Sequence, residues 1–329
     1  MQLTKVVEGI NTQAVLPALP PWLAMTQGKI FFVKPRSGSD FGNDGHSPDT
    51  ALKTLKEALA RATAGQNDIV ILMGESNTAS HTTDYQSATL DWNKDLVHLI
   101  GVGSGPLFSQ RARVAFTSTF VGAANLFTLS ANGCFIADIS FYAGVASANP
   151  TGCMKITGQR NHIQRCHIAG MGHASMDIAG AYSLQISAGQ ENLIEDCVIG
   201  QDTVTLGAAV NAVLYFASGA TRNTFRNCQF MLYTSHATNA QFVRAAAGSM
   251  DRFQVFDRCA FINAVSSGST VLTQAMTVVA GGSPSGGIIL RNPVSVGSTD
   301  WNATDAGNVY ATVESATANA IGLAVAILR

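Results

Sequence analysis

Asn161-His162-Ile163-Gln164-Arg165-Cys166-His167-Ile168 returns 31 residues later as Asn192-Leu193-Ile194-Glu195-Asp196-Cys197-Val198-Ile199. It returns again as Asn223-Thr224-Phe225-Arg226-Asn227-Cys228-Gln229-Phe230, then as Gln254-Val255-Phe256-Asp257-Arg258-Cys259-Ala260-Phe261. Cys166, Cys197, Cys228 and Cys259 are therefore each 31 residues apart. Two outer copies, Ile136–Phe141 and Leu290–Ser295, put Ile139 and Pro293 in the cysteine place, with spacings of 27 and 34. Drift of this kind is expected of terminal repeats.

Within a copy the apolar residue after the cysteine lies two positions on, which is strand periodicity. The one before lies three positions back, so a bend intervenes. Asp138, Arg165, Asp196, Asn227, Arg258 and Asn292 occupy that bend, and polar, Asn/Asp-rich positions suit a tight turn. A third strand is predicted in each copy, at Gly152–Gly158, Tyr182–Ser187, Val213–Ala217, Gln241–Ala245 and Val271–Val279. Three short strands and three corners per repeat define an all-β fold, a right-handed parallel β-helix with three strands per coil. Stacked coils about 4.8 Å apart bring equivalent side chains together. The exposed row Gln164, Glu195, Arg226, Asp257, Arg291 then alternates in charge from its second member, as in-register stacking requires.

Of the 329 residues 47% are hydrophobic and 12% charged, and the net charge is -1. That charge, with no basic run, excludes a nucleic-acid binder held by phosphate contacts. Leucine-rich repeats are shorter, propeller blades longer, and helical repeats need a 3.6-residue period. Helical spacing appears in one long segment, Asp49–Thr63, where Leu52, Leu55, Leu59 and Ala62 share a face. Ser47 or Thr50 is the expected cap at its start, and Ala64-Gly65 the expected end.

Phe31-Phe32-Val33, Gly38-Ser39-Asp40, Asn43-Asp44-Gly45, Ser47-Pro48-Asp49-Thr50-Ala51, Thr54-Leu55 and Ala58 resemble the N-terminal plug of pectate-lyase-like right-handed β-helices. With the repeats, the resemblance covers Lys29 to Ala303. It implies the fold well and the function poorly, because that fold hosts lyases, hydrolases, adhesins and virion parts. The expected organisation is an extended apolar arm over 1–28, a strand-turn-helix cap and first coil over 29–75, the solenoid over 76–303, and a C-terminal β cap or oligomerisation segment over 304–329.

Stacked thiols have parallel Cα–Cβ vectors that keep their Cβ atoms wider apart than the roughly 3.8 Å of a disulfide. The four repeat cysteines are thus expected as a structural ladder of free, buried thiols. No Cys-x-x-Cys spacing suggests zinc, no basic-then-apolar leader is visible, and no apolar run has membrane-spanning length. The N-terminal arm is apolar and Pro-rich. Leu16, Pro17, Leu19, Pro20, Pro21, Trp22 and Leu23 are its candidate partner contacts; covering an edge of its own solenoid is the other reading. Burying Trp22 and the three leucines yields roughly 6–12 kcal/mol, against about 10–20 kcal/mol to order eleven backbone residues, so backbone hydrogen bonds must contribute. At the other end, Val309–Arg329 reads either as a closing strand pair or as an oligomer interface.

Glycoside hydrolysis needs two carboxyls about 5–9 Å apart. In the coils Glu191, Glu195 and Asp196 form the acidic cluster, expected to be offset by Arg165 and Arg226, with Asp177 and Asp202 a weaker pair. Asp40, Asn43, Asp44 and Asp49 lack the spacing of an EF-hand, and His162, His167 and His173 lack metal-site partners. Hence no catalytic residues, metal or cofactor are expected. The chain also looks like phage β-helix proteins, with an apolar arm and a low-charge surface. That resemblance implies a virion structural protein made in the host cytoplasm, in particular a trimeric capsid decoration (cement) subunit. Its implied partner is the major capsid protein or another virion component, with no nucleic acid or membrane. The alternative is a tail spike or fibre module that binds or cleaves host surface polysaccharide, for which Tyr182, Tyr215 and Tyr233 are the aromatic candidates.

Overall fold

The computed structural model describes residues 28–75, 83–103, 108, 112–122, 125–264, 269–278, 286–302, 309–312 and 325–327. These form three sheets wound into a β-solenoid. Sheet 1 has eleven strands, from Ile30–Val33 and Ile69–Met73 through His98–Val102, Phe135–Ala137, His162–Gln164, Leu193–Glu195, Thr224–Arg226, Gln254–Asp257 and Ile288–Arg291 to Val309–Thr312 and Val325–Ile327. Sheet 2 has eight, from Thr83–Gln86 to Val294–Val296, and sheet 3 has eight, from Leu90–Trp92 to Ser298–Asn302. From Ile69–Met73 to Ile288–Arg291 each coil contributes one strand to each sheet, and among the described residues every strand pairing is parallel except the last, where Val325–Ile327 runs antiparallel to Val309–Thr312.

The repeat period sets the register. Gln164 pairs Glu195, Glu195 pairs Arg226, Arg226 pairs Asp257 and Asp257 pairs Arg291. The inward row Ile163, Ile194, Phe225, Phe256 and Leu290 is wholly buried. Phe225 stacks on Phe256 at 4.7 Å, and Phe230 on Phe261 at 4.8 Å, with planes within 11° and 13° of parallel. Register stacking thus turns identical positions into continuous apolar columns.

The bend between sheets 1 and 2 has one backbone solution throughout. Asp138, Arg165, Asp196, Asn227, Arg258 and Asn292 all have φ between 48° and 59°. A left-handed residue turns the chain sharply, and its side chain points outward, where a polar or charged group is solvated.

Beneath the bend between sheets 3 and 1 runs a buried amide ladder. Asn161 N–H donates to Asn192 Oδ1 at 2.9 Å, Asn192 N–H to Asn223 Oδ1 at 3.0 Å, and Asn223 N–H to Gln254 Oε1 at 3.1 Å. Their side-chain amides donate to Ala131, Gly158, Gly189 and Ala220 carbonyls. These contacts give partners to corner backbone groups that neither a strand nor water reaches.

The helix is shorter than its periodicity suggests, Leu55–Arg61, and its N-cap is Thr54 rather than Ser47 or Thr50. Upstream, Leu52 is held as a parallel bridge to Val33. The Asp40 carboxylate accepts from Lys53 N–H, Thr54 N–H and Thr54 Oγ1, which fixes the chain extended before the helix begins. Ala62, in extended conformation, ends it ahead of the expected Ala64-Gly65.

Candidate functional site

The outward rows of the coils hold the chemistry-bearing side chains, because the inward rows are apolar. On sheet 1, Glu195 accepts from His162 Nε2 at 2.8 Å and Gln164 Nε2 at 3.0 Å, and lies 3.4 Å from the Arg226 guanidinium. Asp257 pairs with Arg291 at 2.9 Å, with Arg258 at 3.7 Å and with Arg226 at 4.0 Å. At the left-handed bend, Arg165 makes a two-pronged contact with Asp138 at 2.8 and 2.6 Å, while Asp196 accepts from Asn227 Nδ2 at 3.2 Å.

The other bend carries a second ion ladder that the sequence reading missed. Glu191 lies between Arg160, at 2.8 Å, and Arg222, and these two guanidiniums hold its carboxyl below the usual range. Its signal was present, since Arg160, Glu191 and Arg222 are also 31 residues apart. The acidic cluster foreseen around Glu191, Glu195 and Asp196 is thus divided between two bends and a sheet face, each acid with its own partners. Asp177 accepts from the Gly207 and Ala208 amides and from Asn211 Nδ2, tying one loop to the next coil. Asp202 is exposed.

The three histidines of one coil separate. His162 joins Glu195, the His167 ring lies 3.1 Å from the Gly200 carbonyl, and His173 Nδ1 accepts from Ser175 N–H. Among the described residues no group of three His, Cys, Asp or Glu side chains is arranged to hold a metal. All six cysteines are buried and free. Cys166 N–H points at Cys197 Sγ, 3.4 Å away, and the Cys197 and Cys228 thiols lie 3.2 and 3.4 Å from the carbonyls of Glu195 and Arg226. Burial pushes the Cys134 thiol up to about 12 and raises those of Cys153 and Cys197, so these sulfurs stay protonated and poorly nucleophilic.

Sheet 3 carries outward, in register, Lys155, Gln185, Tyr215 and Arg244. All four are partly exposed. Arg244 reaches Gln241 Oε1 at 3.3 Å. Tyr182 is buried, its ring over Gly152, where a Cβ would fall 2.1 Å from a ring carbon. Tyr233 is partly exposed. Beside the helix is a cleft of about 310 Å³ lined by Lys56, Gln86, Asp91 and Lys94 among others. Three of these are already engaged: Lys94 donates to the Ala60 and Ala62 carbonyls, Gln86 to Asp84, and Asp91 accepts from Ser130. The seven arm residues Leu16, Pro17, Leu19, Pro20, Pro21, Trp22 and Leu23 lie outside the described residues.

This architecture is that of a right-handed parallel β-helix with three strands per coil. A pectin methylesterase solved in complex with a hexasaccharide aligns at TM-score 0.52 and 12% identity, covering 86% of this chain and 80% of that one. Pectin methylesterase PemA from Erwinia chrysanthemi aligns at 0.51 and 12% identity, covering 82% and 80%. The pectin methylesterase from Aspergillus niger aligns at 0.50 and 14%, covering 87% and 83%. At such identities the likeness shows the fold alone. No protein-family model and no curated protein sequence matches the chain.

Proposed function

We propose that this chain is a structural protein of a bacteriophage particle, a capsid decoration subunit linked to the shell through its N-terminal segment. The observation that carries the structural half is the use made of the coil carboxylates. Glu191, Glu195, Asp138 and Asp257 are each held by cations from adjacent coils. Glu191, gripped by the Arg222 and Arg160 guanidiniums, has its proton affinity reduced and is a poor general acid or base, and the other three have carboxylate oxygens occupied by neighbouring side chains. The virion half is supported by the likeness of the arm and low-charge surface to phage β-helix proteins. Quantitative mass spectrometry of purified particles tests it: hundreds of copies per particle support decoration, whereas absence from particles refutes it.

One observation favours a second reading, a spike module that binds surface glycan. The row Lys155, Gln185, Tyr215, Arg244 offers an aromatic face and hydrogen-bonding groups along a sheet, a surface suited to an extended oligosaccharide. A handful of copies per particle, with capsule binding lost in Tyr215→Ala, would favour it over decoration.

A further inference from the structure

The outer face of sheet 1 is not uniform along the solenoid. In the later coils its outward residues are partly exposed, and this includes the apolar Leu193 and Val255, each flanked by a strand on both sides. In the first four strands the central outward residues are sealed, Phe32 at 3% exposure, Ile69 at 5%, Ile71 at 2%, and Ile100, Phe135 and Ala137 at 0%, with Ile30, Met73 and Val102 partly exposed around them. With Ala51 of the cap turn they form an apolar cluster of their own, separate from the solenoid core. Neighbouring strands alone leave such positions partly open, as Leu193 and Val255 show, so a further layer covers this patch. Sequence patterning agrees. Ile30-Phe31-Phe32-Val33 and Ile69-Val70-Ile71-Leu72-Met73 are unbroken apolar runs, the mark of strands buried on both faces, whereas Thr224-Phe225-Arg226 alternates.

We propose that the cover is the chain's own N-terminal segment, residues 15–25, folded back across the outer face of sheet 1. Of the described cap turn, Ala51 joins the cluster but brings a single methyl group, whereas Leu52 extends the sheet edge beside Val33 and His46 packs at 5.0 Å on the inward ring of Phe31. The stretch 76–82 has no Val, Leu, Ile, Met, Phe, Tyr or Trp, and its one ring is His81. The stretch 104–111 contains Leu107 next to Phe108, and the Phe108 ring lies 5.1 Å from that of His167 on sheet 2. Segment 15–25 offers Leu16, Leu19, Trp22, Leu23 and Met25, and Thr26-Gln27-Gly28 joins it to the edge strand of the patch. Four strands span about 15 Å, while eleven extended residues reach roughly 35 Å, so the length suffices. The seven apolar arm residues thereby anchor on their own solenoid, and residues 1–14 are left to reach a partner. This inference does not depend on the virion reading.

Hydroxyl-radical footprinting of the full chain tests it, run on the monomer fraction at low concentration. The expected result is that Trp22 and Met25 are protected nearly as well as Trp92. In a full-length Leu19→Ser/Trp22→Ser/Leu23→Ser variant, oxidation of Met73 at the rim should rise several-fold while core Met154 stays unreactive, which shows that the solenoid is intact. Free reaction of Trp22 and Met25 in the wild type, protection that vanishes in the monomer, or an unchanged Met73 in a folded variant would each overturn it.

Discussion

Replacing Asn192 by Ala isolates the buried amide ladder. Asn192 is 1% exposed, accepts from Asn161 N–H at 2.9 Å, and donates to the Gly158 carbonyl at 3.1 Å and to Asn223 Oδ1 at 2.9 Å. Asn223 Oδ1 keeps the Asn192 N–H as a donor at 3.0 Å, so two groups lose this partner, the Asn161 amide and the Gly158 carbonyl. A buried polar group left unpaired costs about 1–3 kcal/mol, which makes the expected loss about 2–6 kcal/mol. Stability in a solenoid is close to a sum over neighbouring coils, so the loss should be local. Hydrogen exchange followed by mass spectrometry is the suitable assay. At about 4 kcal/mol, exchange of the Asn161 amide should accelerate roughly a thousandfold, while peptides of the first coils hold their rates. An Asn161 amide that stays protected, with a loss below about 0.5 kcal/mol, would refute the claim that the ladder holds the bends.

Arg222→Ala, on the exposed ion ladder, should cost no more than about 0.5 kcal/mol in urea unfolding, because its partner is shared with Arg160 and its side chain is largely in water. Asp84 is buried and its carboxyl is pushed up to about 6, mainly by loss of water. The folded chain therefore binds the extra proton between pH 4 and 6, and stability falls as pH rises through that window; Asp84→Asn should gain about 2–3 kcal/mol over wild type at pH 7.5 and little at pH 4. A gap independent of pH would contradict this. His98 runs the other way, since burial lowers it from 6.5 to about 4. Its contribution is lost as pH falls between those values, and His98→Gln should remove up to about 3 kcal/mol of that acid dependence in matched pH titrations of stability. A thiol reagent should leave the buried cysteines unmodified in native protein and label them on unfolding; rapid native labelling of Cys197 would show that the column is open.

The coil register was legible because the cysteines, the bend residues and the exposed charges all repeat with one period, and each is read independently of the others. The asparagine ladder was written in the same period, at Asn161, Asn192 and Asn223, but an amide at the start of a strand carries no apolar or charge signal. Its role appears only once the bend is known to bury backbone. The helix start was misjudged because Leu52 falls on the helical face by spacing, while a tertiary pairing with Val33 holds it extended. Candidate site residues were less readable. Whether Glu195 is a free acid or a clamped one depends on His162, 33 residues away, and that contact requires the fold first.

Both ends of sheet 1 are stopped by chain that differs from the repeat: at one end Leu52 bridges Val33, and at the other Val325–Ile327 reverses direction against Val309–Thr312. A second molecule approaching either terminus meets a strand polarity or a backbone path that its own coils do not continue. Head-to-tail stacking of copies along sheet 1 in the repeat's own parallel pattern, the natural hazard of an open parallel edge, therefore finds no matching strand at either of these ends.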